Sequence, residues 1–145
     1  MVLTTQKEGD FMQEKWLNEA LNAMGMAYVP YSKFPVGAAL ITEDGKVYQG
    51  CNIENSSYGL SNCAERTAIF KAVSVGERAF KALVITGETE GPISPCGACR
   101  QVIAEFCAPT MPVYLTNTTG ALFETTVEQL LPGAFTKEDL AHARK

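Results

Sequence analysis

Segments of helical periodicity alternate with short strand-like runs, and that order restricts the chain to a layered fold. Met12, Trp16, Ala20 and Met24 recur every fourth residue with Leu17 and Leu21 beside them, which predicts an amphipathic helix over 10–27 with Asp10 as its N-cap. Such a Met and aromatic stripe reads as core. Pro30 and Pro35 interrupt the chain, and runs over 35–42 and 46–54 then flank Glu43-Asp44-Gly45, whose Asp-Gly pair marks a hairpin. A second helix is expected from Cys63 to near Gly76, burying Ala68, Ile69, Ala72 and Val73. A strand over 82–86, covered on both faces, follows. A third helix is expected from Cys96 to about Cys107, then strands over 112–116 and 121–126, then a helical tail starting near Thr136. The order α, β, β, α, β, α, β, β, α predicts a three-layer α/β/α domain with a five-stranded mixed sheet. Residues 1–9 read as a flexible leader and 10–145 as one domain.

Composition removes several classes. Of 145 residues 46% are hydrophobic and 19% charged, which excludes a disordered or fibrous chain. The net charge is −4. With neither a basic stripe nor an aromatic-and-basic track, the chain is not expected to bind nucleic acid. The longest apolar run, 36–41, contains a glycine and falls far short of the roughly 20 residues of a membrane span. The first ten residues lack the basic start and apolar centre of a signal peptide. A cytoplasmic location is therefore expected, with the five cysteines reduced, and their odd number argues against a disulfide framework.

The cysteines need another explanation. Asn62-Cys63-Ala64-Glu65-Arg66 and Ser94-Pro95-Cys96-Gly97-Ala98-Cys99-Arg100-Gln101 both lie where a helix should begin. Cys96 and Cys99 are one turn apart, with Cβ atoms about 5–6 Å from each other, so both thiolates can reach one zinc ion at about 2.3 Å. Cys63 supplies a third ligand and leaves the fourth tetrahedral corner open, the catalytic rather than the structural arrangement. His142, the lone histidine, lies far away in the polar tail, and its isolation disfavours Ser-His-Asp and Cys-His machinery. Three thiolates leave a divalent ion with excess negative charge. Two helix N-termini, each about half a positive charge, and Arg66 are placed to offset it. Glu65 is the candidate proton carrier. Two residues within a helix lie about 200° apart, so Cys63 and Glu65 share a site only if Cys63 sits at the helix entrance. Cys51 and Cys107 have no partner at ligand spacing and read as small apolar fillers.

Cys-Ala-Glu followed by Pro-Cys-x-x-Cys matches the signature of the zinc deaminases in its three-cysteine form. With Tyr31-Ser-Lys-Phe-Pro-Val-Gly-Ala-Ala39, Gly50-Cys-Asn-Ile-Glu-Asn55 and Leu130-Leu-Pro-Gly-Ala-Phe135, the chain resembles the small, homotetrameric, zinc-dependent cytidine deaminases from about Asp10 onward. The resemblance implies hydrolytic deamination of cytidine and 2′-deoxycytidine to the uridines plus ammonia, in pyrimidine salvage. It implies one zinc ion per chain on Cys63, Cys96 and Cys99, with Glu65 as the acid/base. It further implies that Asn52 and Glu54 bind the ribose hydroxyls, side by side because residues two apart on a strand share a face. Phe34 is then the aromatic packed on the pyrimidine, and Ala64 holds the base carbonyl through its backbone. Phe135 reaches the site from a neighbouring subunit, and Tyr58 is an interface residue.

Two other readings are open at this point. A deaminase of another aminated pyrimidine nucleoside, such as blasticidin S, shares the zinc motifs but by resemblance lacks the Asn-x-Glu pair. A structural-zinc interaction domain predicts a closed site and no nucleoside affinity.

Overall fold

The computed structural model describes residues 8–143. The four-residue apolar repeat forms α1 (Glu8–Met24). Asp10 lies inside this helix and is not its N-cap, because Glu8 and Gly9 are already helical. Of the expected leader, residues 1–7 lie outside the described residues. The helix stops at Met24, short of Ala27, with Gly25 next, the poorest helix former after proline.

The hairpin forms as expected. β1 (Val36–Thr42) and β2 (Val47–Cys51) pair antiparallel around Gly45, whose φ of 89° is the left-handed conformation such a turn demands. β2 ends at Cys51, and Ile53 leaves the sheet to bridge Tyr28 and Asn62. α2 (Ala64–Ser74), β3 (Phe80–Gly87), α3 (Gly97–Phe106), β4 (Pro112–Thr116) and β5 (Leu122–Thr126) follow. The chain closes with α4 (Val127–Leu130) and α5 (Lys137–Ala143). Two elements go beyond the sequence reading: a 3₁₀ turn at Tyr58–Leu60, and α4, capped by the Thr126 hydroxyl accepting from the Gln129 N–H. Both are too short to show a periodicity.

The sheet order is β2-β1-β3-β4-β5, with β3 and β4 parallel and the other pairs antiparallel. Strand alternation divides the core into two layers. Ala39, Ile41, Ala82, Val84 and Tyr114 pack under α1 with Ala20, Trp16 and Leu17. Ala38, Leu40, Leu83, Ile85 and Val113 face the other way, against Ala64, Ala68 and Ile69 of α2 and Ile103 of α3. This is the three-layer α/β/α architecture with a five-stranded mixed sheet, and β3 is covered on both faces.

Glycine sets how closely the helices approach. A Cβ on Gly37 would lie 2.6 Å from the Met24 nitrogen in α1, and one on Gly50 would lie 2.8 Å from Ala68 Cβ and 2.5 Å from its nitrogen in α2. α2 therefore presses its Ala64-Ala68 edge directly onto β2. The pairing of Val36 with Gly87 and of Gly37 with Cys51 gathers the start of β1 and the ends of β2 and β3 at one end of the sheet, and α2 and α3 begin on the connections that leave it. Gly50→Ala is expected to cost about 3 kcal/mol, the upper end for an overpacked core, read as a lower urea midpoint. Gly59→Ala, where an added Cβ meets nothing within 4 Å, should leave the midpoint in place.

Candidate metal centre and active site

Cys63 is the N-cap of α2, with extended backbone at φ −78° and ψ 158°. Cys96 is the N-cap of α3, at φ −70° and ψ 168°, and Cys99 sits in the first turn of that helix. The three sulfurs lie within 4.8 Å of one another. Cys63 Sγ is 3.8 Å from Cys96 Sγ, which is 3.4 Å from Cys99 Sγ. Two thiolates held tetrahedrally at about 2.3 Å from one zinc ion stand about 3.8 Å apart, so the donor set and its spacing fit zinc. His142 lies on α5, and its side chain is outside the described residues.

Because Cys63 precedes the helix, Glu65 can turn to the same site. Glu65 is only 4% exposed, and it lines an open pocket of about 690 Å³ together with Cys63, Cys96, Ala64 and Arg66. Burial pushes its carboxyl above the usual range, and the Cys63 charge adds to that. The Cys63 thiol is pushed down to about 5 by hydrogen bonds from Cys99, Arg66 and Cys96, with burial opposing them. Cys99, which gives its proton to that hydrogen bond and is buried, moves upward. Arg66 donates from its terminal nitrogen to Cys63 Sγ at 3.2 Å, the contact expected of a charge-compensating residue. Its buried Nε has no partner among the described residues. Cys51 and Cys107 lie outside the sulfur cluster; burial pushes the Cys107 thiol to about 12.

Phe34, Asn52 and Glu54 also line the pocket. Asn52 and Glu54 lie beyond the end of β2 rather than within it, yet both face the pocket while Ile53 between them is 45% exposed. Tyr58, 76% exposed, also lines this pocket and meets Tyr31 edge-on at 6.2 Å between ring centroids. Phe135 is not among the residues lining the pocket of its own chain. It is 62% exposed, with its carbonyl held by Gln101 Nε2 at 2.9 Å.

Arg100 and Asn117 carry no sequence-based role, yet both anchor loops at the site. The Arg100 guanidinium donates to the Pro95 carbonyl at 2.9 Å, the Ser94 hydroxyl at 2.6 Å and the Leu130 carbonyl at 2.7 Å, fixing the loop that presents Cys96. Asn117, fully buried, donates to the Thr89 and Glu90 carbonyls and accepts from Thr119 and Ala121. It thereby ties down the β3–α3 loop whose Thr89 lines the pocket. Adjacency to Cys99 is the only mark of Arg100 in the sequence, and Asn117 stands in the short connection between β4 and β5 with no motif of its own. Outer contacts of this kind hold metal affinity at about the 10–100-fold level. Arg66→Ala is accordingly expected to weaken zinc retention about tenfold in competition with a chromogenic chelator; unchanged retention would remove the charge-compensation role.

Comparison with known proteins agrees with this geometry. Residues 11–115 match the family described as the cytidine and deoxycytidylate deaminase zinc-binding region. A cytidine deaminase of Sporosarcina psychrophila is 68% identical over 130 residues, covering 90% of this chain and 96% of the relative. The crystal structure of cytidine deaminase from Burkholderia pseudomallei superposes with a TM-score of 0.83 at 55% identity, covering 84% of this chain and 98% of that one. A blasticidin-S deaminase of Bacillus cereus is more distant, 36% identical over 114 residues, with 73% and 80% of the two chains covered. With its three-thiol cluster, buried glutamate and sheet order, the chain belongs to the zinc-dependent cytidine deaminase family.

Proposed function

We propose that this chain deaminates free cytidine and 2′-deoxycytidine by hydrolysis, releasing the uridine and ammonia. The observation that carries the reading is Glu65, a buried carboxyl beside three converging thiols in a pocket that opens to solvent. Zinc held by Cys63, Cys96 and Cys99 supplies Lewis acidity and hydroxide near neutral pH. The chain's own residues do the rest. Water adds at C4 of the pyrimidine and gives up one proton to Glu65, whose burial raises its proton affinity and which passes that proton to the ring nitrogen. Glu65, again a carboxylate, then takes the proton of the new C4 hydroxyl and delivers it to the exocyclic nitrogen; the C4–N bond breaks, the C4 carbonyl forms, and ammonia leaves. The backbone N–H of Ala64, in the first turn of α2 where amides lack helical partners, holds the base carbonyl. Phe34 packs against the base, and Asn52 and Glu54 take the ribose hydroxyls. Arg66 balances the thiolate charge.

The presence of Asn52 and Glu54 on the pocket wall favours a ribonucleoside over blasticidin S. The open pocket beside the sulfurs favours catalysis over a closed structural site. The net charge of −4 favours a free nucleoside over a polynucleotide. The reading includes a homotetramer of single domains spanning residues 10–145. There the outward Phe135 enters a neighbouring subunit's pocket and Tyr58 lies at the interface. It also includes a place in cytoplasmic pyrimidine salvage; no described helix is long and apolar enough to cross a membrane.

The zinc-loaded protein should release ammonia from cytidine but not from cytidine monophosphate. Glu65→Gln should bind zinc and nucleoside yet turn over at least about 100-fold more slowly; unchanged turnover would refute the assignment of Glu65.

A further inference from the structure

The wall of the pocket that carries Phe34 is an irregular segment, Tyr31 to Val36, that leads into β1. Lys33, in its middle, holds φ at 58°, a left-handed conformation that non-glycine residues rarely adopt. Such a conformation persists where its surroundings over-determine it, and here the surroundings include the side chains of Glu54 and Asn52. Glu54 Oε1 accepts from the backbone N–H groups of both Tyr31 and Ser32, each at 3.1 Å. Asn52 Oδ1 accepts from the Val36 N–H at 2.9 Å, and Asn52 Nδ2 donates to the Phe34 carbonyl at 2.8 Å. Ser32 Oγ takes the Phe34 N–H at 3.1 Å, and the Lys33 N–H reaches the Val29 carbonyl at 3.1 Å. The backbone around Asn52 and Glu54 is itself anchored. The Tyr28 N–H donates to the Asn52 carbonyl at 3.0 Å, and the Glu54 N–H donates to the Tyr28 carbonyl at 2.9 Å.

We propose that Asn52 and Glu54 are also positioning residues: they brace the Tyr31–Val36 segment and so set where the Phe34 ring stands in the pocket. This deepens the deaminase reading and rests on it for the role of Phe34. The hydrogen-bonding capacity of the two side chains allows both tasks at once. A primary amide has two N–H donors, of which Asn52 uses one on Phe34. Both bonds to the segment fall on Oε1 of Glu54, so they do not engage Oε2. Holding Glu54 by two backbone N–H groups also favours its charged form, and its carboxyl lies below the usual range through its bonds to Ser32. Sugar recognition and base recognition are thus coupled through one set of hydrogen bonds.

The test has two arms. The first is residue-resolved amide hydrogen exchange, which needs no activity. Glu54→Leu should speed exchange at Tyr31 and Ser32 about tenfold, and Asn52→Leu should do the same at Val36, the scale of one lost hydrogen bond to each partner. Glu54→Gln, which keeps an acceptor oxygen in place, should retain protection at Tyr31 and Ser32. Glu54→Asp withdraws the oxygen while keeping the charge, so it should show the same rise and stands in if the leucine variant does not fold. Protection of the β3 amides reports the fold in every variant. The second arm is a double-mutant cycle on kcat/KM for cytidine. Glu54→Leu should cost clearly less in a Phe34→Ala background than alone, because its action through the ring is already gone. Unchanged exchange at Tyr31, Ser32 and Val36 overturns the brace, and so does full additivity with Phe34→Ala. A wild-type protein inactive on cytidine would instead defeat the deaminase reading, and the exchange arm would still decide the brace.

Discussion

The close approach of α2 to β2, allowed by Gly50 facing Ala68, is the contact on which the site depends. It brings the N-terminus of α2 to the end of the sheet where α3 also begins, so two helix starts meet at one place. Helix N-termini carry unpaired N–H groups and partial positive charge. Three thiolates converging there are less costly than they would be elsewhere in the core. The Arg66 contact to Cys63 Sγ adds a full charge to the same purpose. The cluster is thus a product of backbone placement first and of cysteine chemistry second.

The same placement creates an asymmetry between two carboxylates that share one pocket. Glu65 lies behind the opening, where loss of hydration raises its proton affinity. Glu54 lines the same pocket, where bonds from the Ser32 side chain and from the Ser32 and Tyr31 N–H groups favour its anion. One acid is suited to carrying a proton and the other to accepting hydrogen bonds from a sugar. In the proposed reaction, environment and not residue type would separate their tasks.

The features legible in the sequence were those encoded over a few residues. The Cys96–Cys99 spacing, the Asp44-Gly45 turn and the α1 periodicity each specify local geometry; the first two formed where expected, and α1 formed with its ends at Glu8 and Met24 instead of 10 and 27. The layered order followed from the element sequence because alternating strands must bury both faces of such a sheet. Asn52 and Glu54 were assigned through resemblance, and strand alternation placed them on one face although β2 stops at Cys51. That early end was hidden because the backbone groups of Ile53 and Glu54 pair with Asn62 and Tyr28 instead of continuing along β1, and no local pattern encodes those partners. Arg100 was opaque for a similar reason: the carbonyl it meets at Leu130 lies 30 residues on, and no local pattern encodes it. Phe135 is the opposite case: it stands exposed and outside the pocket of its own chain, and only the proposed tetramer would give it a role.

The central claim is that two helix starts give zinc three sulfur ligands and leave one position for chemistry. X-ray absorption at the zinc edge of the zinc-loaded protein tests it most directly. The account predicts three sulfur scatterers at about 2.3 Å and one oxygen at about 2.0 Å. A shell of four sulfurs, or of three sulfurs and an imidazole nitrogen, would mean a closed site and would contradict it.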